Sequence, residues 1–272
     1  MKKDDVDAVV KAVGEIVKEV PVYKDAVQPV AQEIGKALKT VGGVINVALA
    51  PFAAMVYGWD IIKKQLNERL EKRLKNIPPE NIITPQLQVV GPLLDKYRYV
   101  HQNEELSNMF INLLANAMDK DQVQKAHPSF VNIISELSPD EARLIKVIAK
   151  TNGIPKLDIR AKDKSKENKG YIYVFVNFTL LGKKSKLQYA DLAPSYLSNL
   201  ERLNIISCPI GEGESYTDKT LYKELEEDEF VTKLREDLKV ENQEIEIVQG
   251  VIETTDFGKL FIEAVLTTEV ES

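Results

Sequence analysis

Catalysis and metal binding need nucleophiles, bases or ligand sets at workable spacing, and this chain offers few of them. Two histidines, His101 and His127, and one cysteine, Cys208, are its whole nitrogen and sulfur ligand supply, too little for a closed zinc site. Asp119 and Asp121 are the carboxylates nearest to His127 in the sequence. A magnesium-dependent nuclease would need such carboxylates to converge. Acidic residues also end helices in polar loops, and that reading is preferred for this pair. Glu224, Glu226, Glu227, Asp228 and Glu229 crowd along one stretch, which reads as a solvated acidic face rather than a ligand set. His127 precedes Pro128, a pairing that suits a helix start anchored by Phe130. His101 falls near a helix end, where an imidazolium would meet the helix dipole favourably. Cys208 sits in an apolar strand-like stretch before Pro209 and reads as a buried small residue rather than a nucleophile. No phosphate-cradling glycine loop, dinucleotide fingerprint or zinc spacing occurs. No catalytic, cofactor-binding or metal-binding residue is therefore assigned, and neither a cofactor nor a small-molecule substrate is expected.

Charge offers one local exception. The whole chain carries a formal charge of -6, which gives no global footprint for nucleic acid. Lys162, Lys164 and Lys166, with Lys183, Lys184 and Lys186 further on, form a basic region that Asp163 and Glu167 offset in part. This is the candidate nucleic-acid patch.

The positioning elements must be read from apolar pattern. With 272 residues, 44% of them hydrophobic and 29% charged, the chain can bury two modest cores beneath a charged surface. Residues 40–59, TVGGVINVALAPFAAMVYGW, carry no charge. That length is enough to cross a bilayer, yet Gly42, Gly43, Asn46, Pro51 and Gly58 interrupt it, and unsatisfied backbone is costly in lipid. A packed helical hairpin that can be released is the better description. Its apolar residues Val41, Val44, Ile45, Val47, Leu49, Phe52, Met55 and Trp59 are the candidate membrane or partner segment. Ahead of it, Val6, Val9, Val10, Val13, Ile16, Val17 and Val20 share a helical face, and Val27, Val30, Ala31, Ile34, Leu38 and Val41 repeat the pattern. The start MKKDDVDAVV lacks the apolar core of a secretory signal, so a cytoplasmic location is expected.

Downstream, Ile62, Leu66, Leu70 and Leu74 form a narrow stripe on a charged helix that Pro78 and Pro79 end. Helices carrying Val90 to Val100 and Leu106 to Met118 follow, then a shorter one with Phe130, Ile133, Ile134 and Leu137. Ser138, Pro139 and Glu141 make a capping-box start for the next helix. After Gly153 the pattern turns mixed. Tyr171 to Leu181 reads as a strand, Leu192 to Leu203 as a helix left through Asn204, and Ile205 to Ile210 as a short strand. Thr220 to Lys239 reads as an acidic helix, Ile245 to Ile252 as a strand, and the residues around Phe257, Leu260, Phe261, Ala264 and Val265 as a closing helix.

Several phrases in that order form a recognisable set: Ile82-Ile83-Thr84-Pro85, Leu106 to Met118, His127-Pro128-Ser129-Phe130, Leu137-Ser138-Pro139-Asp140-Glu141-Ala142, Asn199-Leu200-Glu201-Arg202-Leu203 and Thr255-Asp256-Phe257-Gly258. Together they resemble the abortive-infection alpha family of bacterial proteins, catalogued as a domain of unknown function. The family commonly has Leu-Gly-Leu-Ile after the Asn-Leu phrase, where this chain has Leu203, Asn204, Ile205 and Ile206. The resemblance implies a role in phage defence, with infected cells arrested or killed before phage release. It implies no reaction and no catalytic residues.

The expected fold is α+β and mainly α, with an N-terminal helical domain followed by a winged-helix-like α/β domain. The expected divisions are residues 1–77, 78–137 and 138–272. The expected function is a non-enzymatic abortive-infection effector or sensor whose apolar N-terminal segment acts on a protein partner or a membrane, with a homo-oligomer as another form of partner. It would be cytoplasmic at rest and membrane-associated on activation. A DNA-binding winged-helix regulator and a nuclease-type toxin with an unrecognised site stand as alternatives.

Overall fold

The computed structural model describes residues 40–53, 55–163, 170–211, 215–240 and 243–266. The amphipathic stripes read in residues 6–38 lie outside the described residues. The chain divides into two compact units, the first ending at Ser135 and the second running from Glu136 to Leu266.

In the first unit the uncharged run becomes α1, Val41–Ala53, with Val44, Ile45, Ala48, Leu49 and Phe52 buried along one stripe. The Thr40 hydroxyl accepts from Gly43 N at 3.1 Å and starts the helix in place of a charge. Gly58, at φ 79°, reverses the chain before α2, Trp59–Leu74. A residue with a Cβ is strained in that left-handed region. Ile62, Leu66, Leu70 and Leu74 recur every fourth residue on α2, and each is fully buried, so a helix charged over most of its surface is held by one apolar seam. Gly42 of α1 lies against the Glu71 side chain, and Asn67 donates to Asn46 at 2.8 Å. Among the described residues no helix is long and apolar enough to cross a membrane.

The centre of this unit is α4, Glu104–Met118, buried along nearly its whole length. The Asn103 side chain caps it through Leu106 N at 3.0 Å, and Glu104 and Glu105 suit its positive end. Packed around it are α2, α3 (Leu87–Val100) and α5 (Ser129–Ser135). Tyr97, Phe110, Leu113, Phe130 and Ile134 are core residues.

The second unit opens with α6, Pro139–Ile148, and its capping box forms in full. Glu141 N donates to the Ser138 hydroxyl at 3.2 Å, and Ser138 N donates to the Glu141 carboxylate at 2.6 Å. The unit's antiparallel sheet has the order β2-β1-β4-β3. Its members are β1 (Ile154–Asp163), β2 (Ile172–Phe178), β3 (Ile206–Ser207) and β4 (Gln243–Thr254). The described molecule is thus mainly helical with a small antiparallel sheet. Strand β1, which pattern reading did not anticipate, lies at the middle of that sheet and pairs with β4 without interruption from Ile154 opposite Ile252 to Asp163 opposite Gln243. Its pairing with β2 shifts register twice, and Asn177 takes φ 57° at the first of these shifts. Such bulges bend an edge strand and make it a poor template for further pairing.

Short α7 (Leu181–Lys184) and then α8 (Ala193–Arg202) follow β2. The acidic stretch forms two helices rather than one, α9 (Thr220–Glu226) and α10 (Glu229–Val240). The Asp228 carboxylate accepts from Phe230 N at 3.0 Å at the break, a local bond that competes with helix continuation. The chain closes with α11, Asp256–Val265, capped by Thr255. Replacing Ser138 with Ala removes one half of the capping box and should cost about 1 kcal/mol, measured as a lowered urea midpoint with unchanged slope.

Candidate functional site

The two most deeply buried charged side chains among the described residues, Lys156 and Asp158, are in neither of the regions the sequence singles out. They lie on β1, where Lys156, Asp158 and Arg160 alternate with Leu157, Ile159 and Ala161. The apolar set faces a cluster of Phe178, Leu180, Tyr222, Leu225 and Val231. The charged set occupies the opposite face, with Lys156 0% and Asp158 1% exposed. Lys156 Nζ donates to Asp158 Oδ2 at 2.8 Å and to Asn177 Oδ1 at 2.9 Å. Asp158 also accepts from Asn177 N at 2.8 Å and Gly211 N at 2.7 Å. Gly250 stands opposite Lys156 in β4, and a Cβ there would come within 3.0 Å of Lys156 Cε. Arg160 continues the row, donating to Glu246 at 2.7 Å and lying over the Tyr171 ring at 4.2 Å.

A buried lysine can serve as a base or a Schiff-base nucleophile if its amine is free to lose a proton. Here the amine meets a carboxylate and an amide oxygen, and the carboxylate is itself held by two backbone N–H groups. The Lys156 amine is thus fully engaged, with no approach open to a substrate carbonyl. The arrangement is a structural ion pair whose neighbours are committed to solvating it. The K-x-D-x-R alternation with L-x-I-x-A was its only signal in the sequence, a period-two pattern visible only if the charged face is allowed to be buried.

The sequence-selected groups are separately engaged. Asp119 lies in an isolated bridge to Ile82 and accepts from Asp121 N at 2.9 Å, while Asn81 reaches Asp121 at 3.4 Å. His127 Nδ1 is 2.6 Å from the Ser129 hydroxyl, and its ring packs on Phe130 at the start of α5. His101 Nδ1 lies 2.8 Å from Arg98 O at the end of α3. Cys208 is buried, and desolvation followed by the neighbouring Glu201 carboxylate pushes its thiol up to about 12, which leaves almost no thiolate at neutral pH. Among the described residues no His, Cys, Asp and Glu side chains gather in a group able to hold a metal ion.

Of the lysine candidates, Lys162 pairs with Glu246 at 2.6 Å, Lys183 with Asp228 at 2.7 Å and Lys184 with Glu224 at 3.1 Å. Lys186 is exposed. Lys164 and Lys166 lie outside the described residues. Of the apolar candidates, Val44, Ile45, Leu49 and Phe52 are buried, Val41, Val47 and Trp59 are half-buried, and Met55 is exposed.

The phrases shared with a known family prove to be joints. Asn199 of α8 donates to the capping-box Glu141 at 2.7 Å, and Arg202 reaches Glu136 at 2.6 Å. Asp140 accepts from Gln188 N at 3.0 Å and Tyr189 N at 2.9 Å, and pairs with Arg143 at 2.5 Å. Burial pushes the Asp140 carboxyl up, but those donors outweigh it and hold it below its ordinary value. Thr255 donates to Asn204 O at 2.5 Å and accepts from Gly258 N at 2.8 Å. Gly258 has no room for a side chain because Ile205 O sits where its Cβ would be.

Lys156→Met should destabilise the fold by about 3–5 kcal/mol, because Asp158 would be left buried and unpaired. Replacing both charges, as Lys156→Met with Asp158→Leu, should recover part of that loss in chemical denaturation. In acid, Glu246 is the group to follow. Hydrogen bonds from Arg160 and then Lys162 lower its carboxyl from 4.5 to about 2. Its contribution is present above the unfolded value and lost as pH falls through the folded one. Wild type should therefore lose more stability than Glu246→Gln between those values, by about 1 kcal/mol or less because the pair is partly solvated. Acid titration of the urea midpoint in both proteins checks this.

The family described as abortive infection alpha matches the chain over residues 58–265. No curated protein matches it. Among solved structures, it is similar to the uncharacterized protein from the hydrocarbon-degrading marine bacterium Alcanivorax borkumensis SK2, at 17% identity and a TM-score of 0.34, over 54% of this chain and 96% of that one. That structural likeness is too slight to carry an argument. The family match spans α2 through α11 and includes every phrase on which the resemblance rested. The chain belongs to the abortive infection alpha family.

Proposed function

We propose that the protein is a non-enzymatic abortive-infection effector or sensor, cytoplasmic at rest, that acts when α1 leaves α2 and presents its apolar stripe to a protein partner or a membrane. The observation that carries this reading is that α2 is the only described element against which α1 packs extensively. An element attached through one seam can detach without dismantling the core formed by α3, α4 and α5. The buried stripe of Val44, Ile45, Leu49 and Phe52 holds it, at roughly 1.5–3 kcal/mol for each side chain. A trigger would therefore have to bury a comparable surface to shift the equilibrium.

The second unit reads as a winged-helix-like module serving as an interaction or sensing platform. Support comes from the adjacency β1-β4-β3, with α8 entering β3 and a long connection between β3 and β4. Three candidate lysines are engaged with acidic partners, and phosphate would have to displace those contacts before counterion release could drive DNA binding. Protein contact is the favoured use of the module.

The joint between Asn46 and Asn67 allows a charge-swap test that leaves the apolar stripe intact. Asn46→Asp with Asn67→Asp places like charges where a hydrogen bond now lies, worth about 1 kcal/mol near a surface. The α1 amides should then exchange roughly fivefold faster, and expression should slow growth without phage. Asn46→Asp with Asn67→Lys restores attraction and should behave as wild type. Equal behaviour of the two variants, or full phage protection by a chain lacking residues 1–53, would overturn the reading.

A further inference from the structure

We propose that the turn of the intact α1–α2 hairpin, with the adjoining end of α3, docks on an anionic membrane interface. Four large side chains are exposed here: Met55 at 61%, Tyr57 at 86%, Ile61 at 73% and Tyr99 at 71%. Exposed apolar residues scattered singly need no explanation, but a contiguous set does. Arg98 draws Tyr57 and Tyr99 together, and Met55 and Ile61 flank Tyr57 along the turn. Arg98 Nη1 donates to Tyr57 O at 3.2 Å and Nη2 to the Tyr99 hydroxyl at 2.6 Å. The guanidinium lies 5.7 Å from the Tyr57 ring centre and 4.6 Å from that of Tyr99. The turn at Gly58 sets Ile61 Cδ1 within 3.6 Å of the place a Cβ would take.

Charge selects the occupant. Residues 57–64 and 95–99 contain Lys63, Lys64, Lys96 and Arg98 against Asp60 and Asp95, a local excess of two positive charges in a chain of net charge -6. Asp95 is already committed to Arg98 at 2.8 Å. A small-molecule site is concave, whereas this is the turn of a helical hairpin. Tyrosine and tryptophan carry an apolar ring with a polar end and settle at the headgroup boundary of a bilayer, where lysine and arginine meet anionic lipid. Trp59 adjoins the exposed set and is half-buried. This docking seats side chains at the boundary and needs no spanning helix. It uses the same hairpin as the effector reading but not the release of α1, so the two can fail separately.

Trp59 is the single tryptophan of the chain, so its fluorescence reports on this site alone. The full-length protein is titrated with phosphatidylcholine vesicles containing roughly one part in three phosphatidylglycerol. Expected are co-sedimentation, a blue shift of Trp59 emission and weakening with added salt. The triple variant Tyr57→Ser, Ile61→Ser, Tyr99→Ser should partition at least roughly tenfold less, with an unchanged circular dichroism spectrum because all three side chains are exposed. Lys63→Gln with Lys64→Gln and Lys96→Gln should remove most of the salt dependence. The proposal is overturned if wild type ignores the vesicles, binds equally without phosphatidylglycerol, or binds without a Trp59 shift. Unchanged binding by the triple variant also overturns it, as does concentration-dependent self-association through the patch without vesicle binding. Binding confined to Asn46→Asp with Asn67→Asp would reject docking by the intact hairpin and leave release of α1 standing.

Discussion

Lys156 and Asp158 sit side by side on an inner strand of the second unit, withdrawn from solvent, and their neighbours are arranged to meet this constraint. Removing a lysine ammonium and a carboxylate from water costs several kcal/mol for each ion even after relaxation. Their mutual attraction offsets this only when the remaining donors and acceptors are met. Asn177 gives both its amide oxygen and its backbone N–H, Gly211 gives a backbone N–H, and Gly250 leaves room for the lysine stem. The left-handed conformation at Asn177 accompanies this arrangement. A local rule of strand regularity yields to a global demand for solvation of charge.

That constraint also bears on how the family phrases should be understood. In a family defined by defence, shared polar residues invite a catalytic reading. In this chain Ser138 and Glu141 cap a helix, Asn199 anchors that cap, Asp140 collects two backbone donors, and Thr255 ties α11 to the chain at Asn204. Each satisfies a buried or helix-terminal polar group that would otherwise cost about 1–3 kcal/mol. The surfaces we propose for a partner lie elsewhere, on the seam of α1 and at the hairpin turn.

The first unit follows a simpler logic. Nothing charged interrupts α1, and its stripe of Val44, Ile45, Ala48, Leu49 and Phe52 is buried, with α2 the described element it packs against most. The hairpin turn departs from this economy. There the side chains of Met55, Tyr57, Ile61 and Tyr99 remain in water while the helices leading to them are well packed. Tyr97 and Ile62, close by in the sequence, are completely buried, and this contrast is what the proposed docking surface rests on.

Helix existence was legible in the sequence wherever one apolar face met one set of caps. Leu106 to Met118, Ser138 with Glu141, the left-handed exit at Asn204 and the closing helix after Thr255 all depend on interactions within a few residues, which periodicity and capping chemistry report directly. The run 40–59, read as a hairpin by itself, forms one helix, α1, whose antiparallel neighbour α2 begins only after Gly58, because the glycine with a left-handed backbone lies at its end and not within it. The local code was silent on β1, because Lys156, Asp158 and Arg160 look like an exposed face until Asn177, Gly211 and Glu246 are brought to them. It also ran α9 and α10 together, since the side-chain bond of Asp228 at their break resembles any acidic residue on a helix. The exposed set at the turn was half visible: Met55 and Tyr57 lie in the uncharged run, but Tyr99 comes from a helix some forty residues away. Short-range hydrogen bonding and apolar period belong to the sequence alone. Pairing between distant charges and the meeting of separate surface residues belong to the tertiary structure, because only it decides which groups share a place without water.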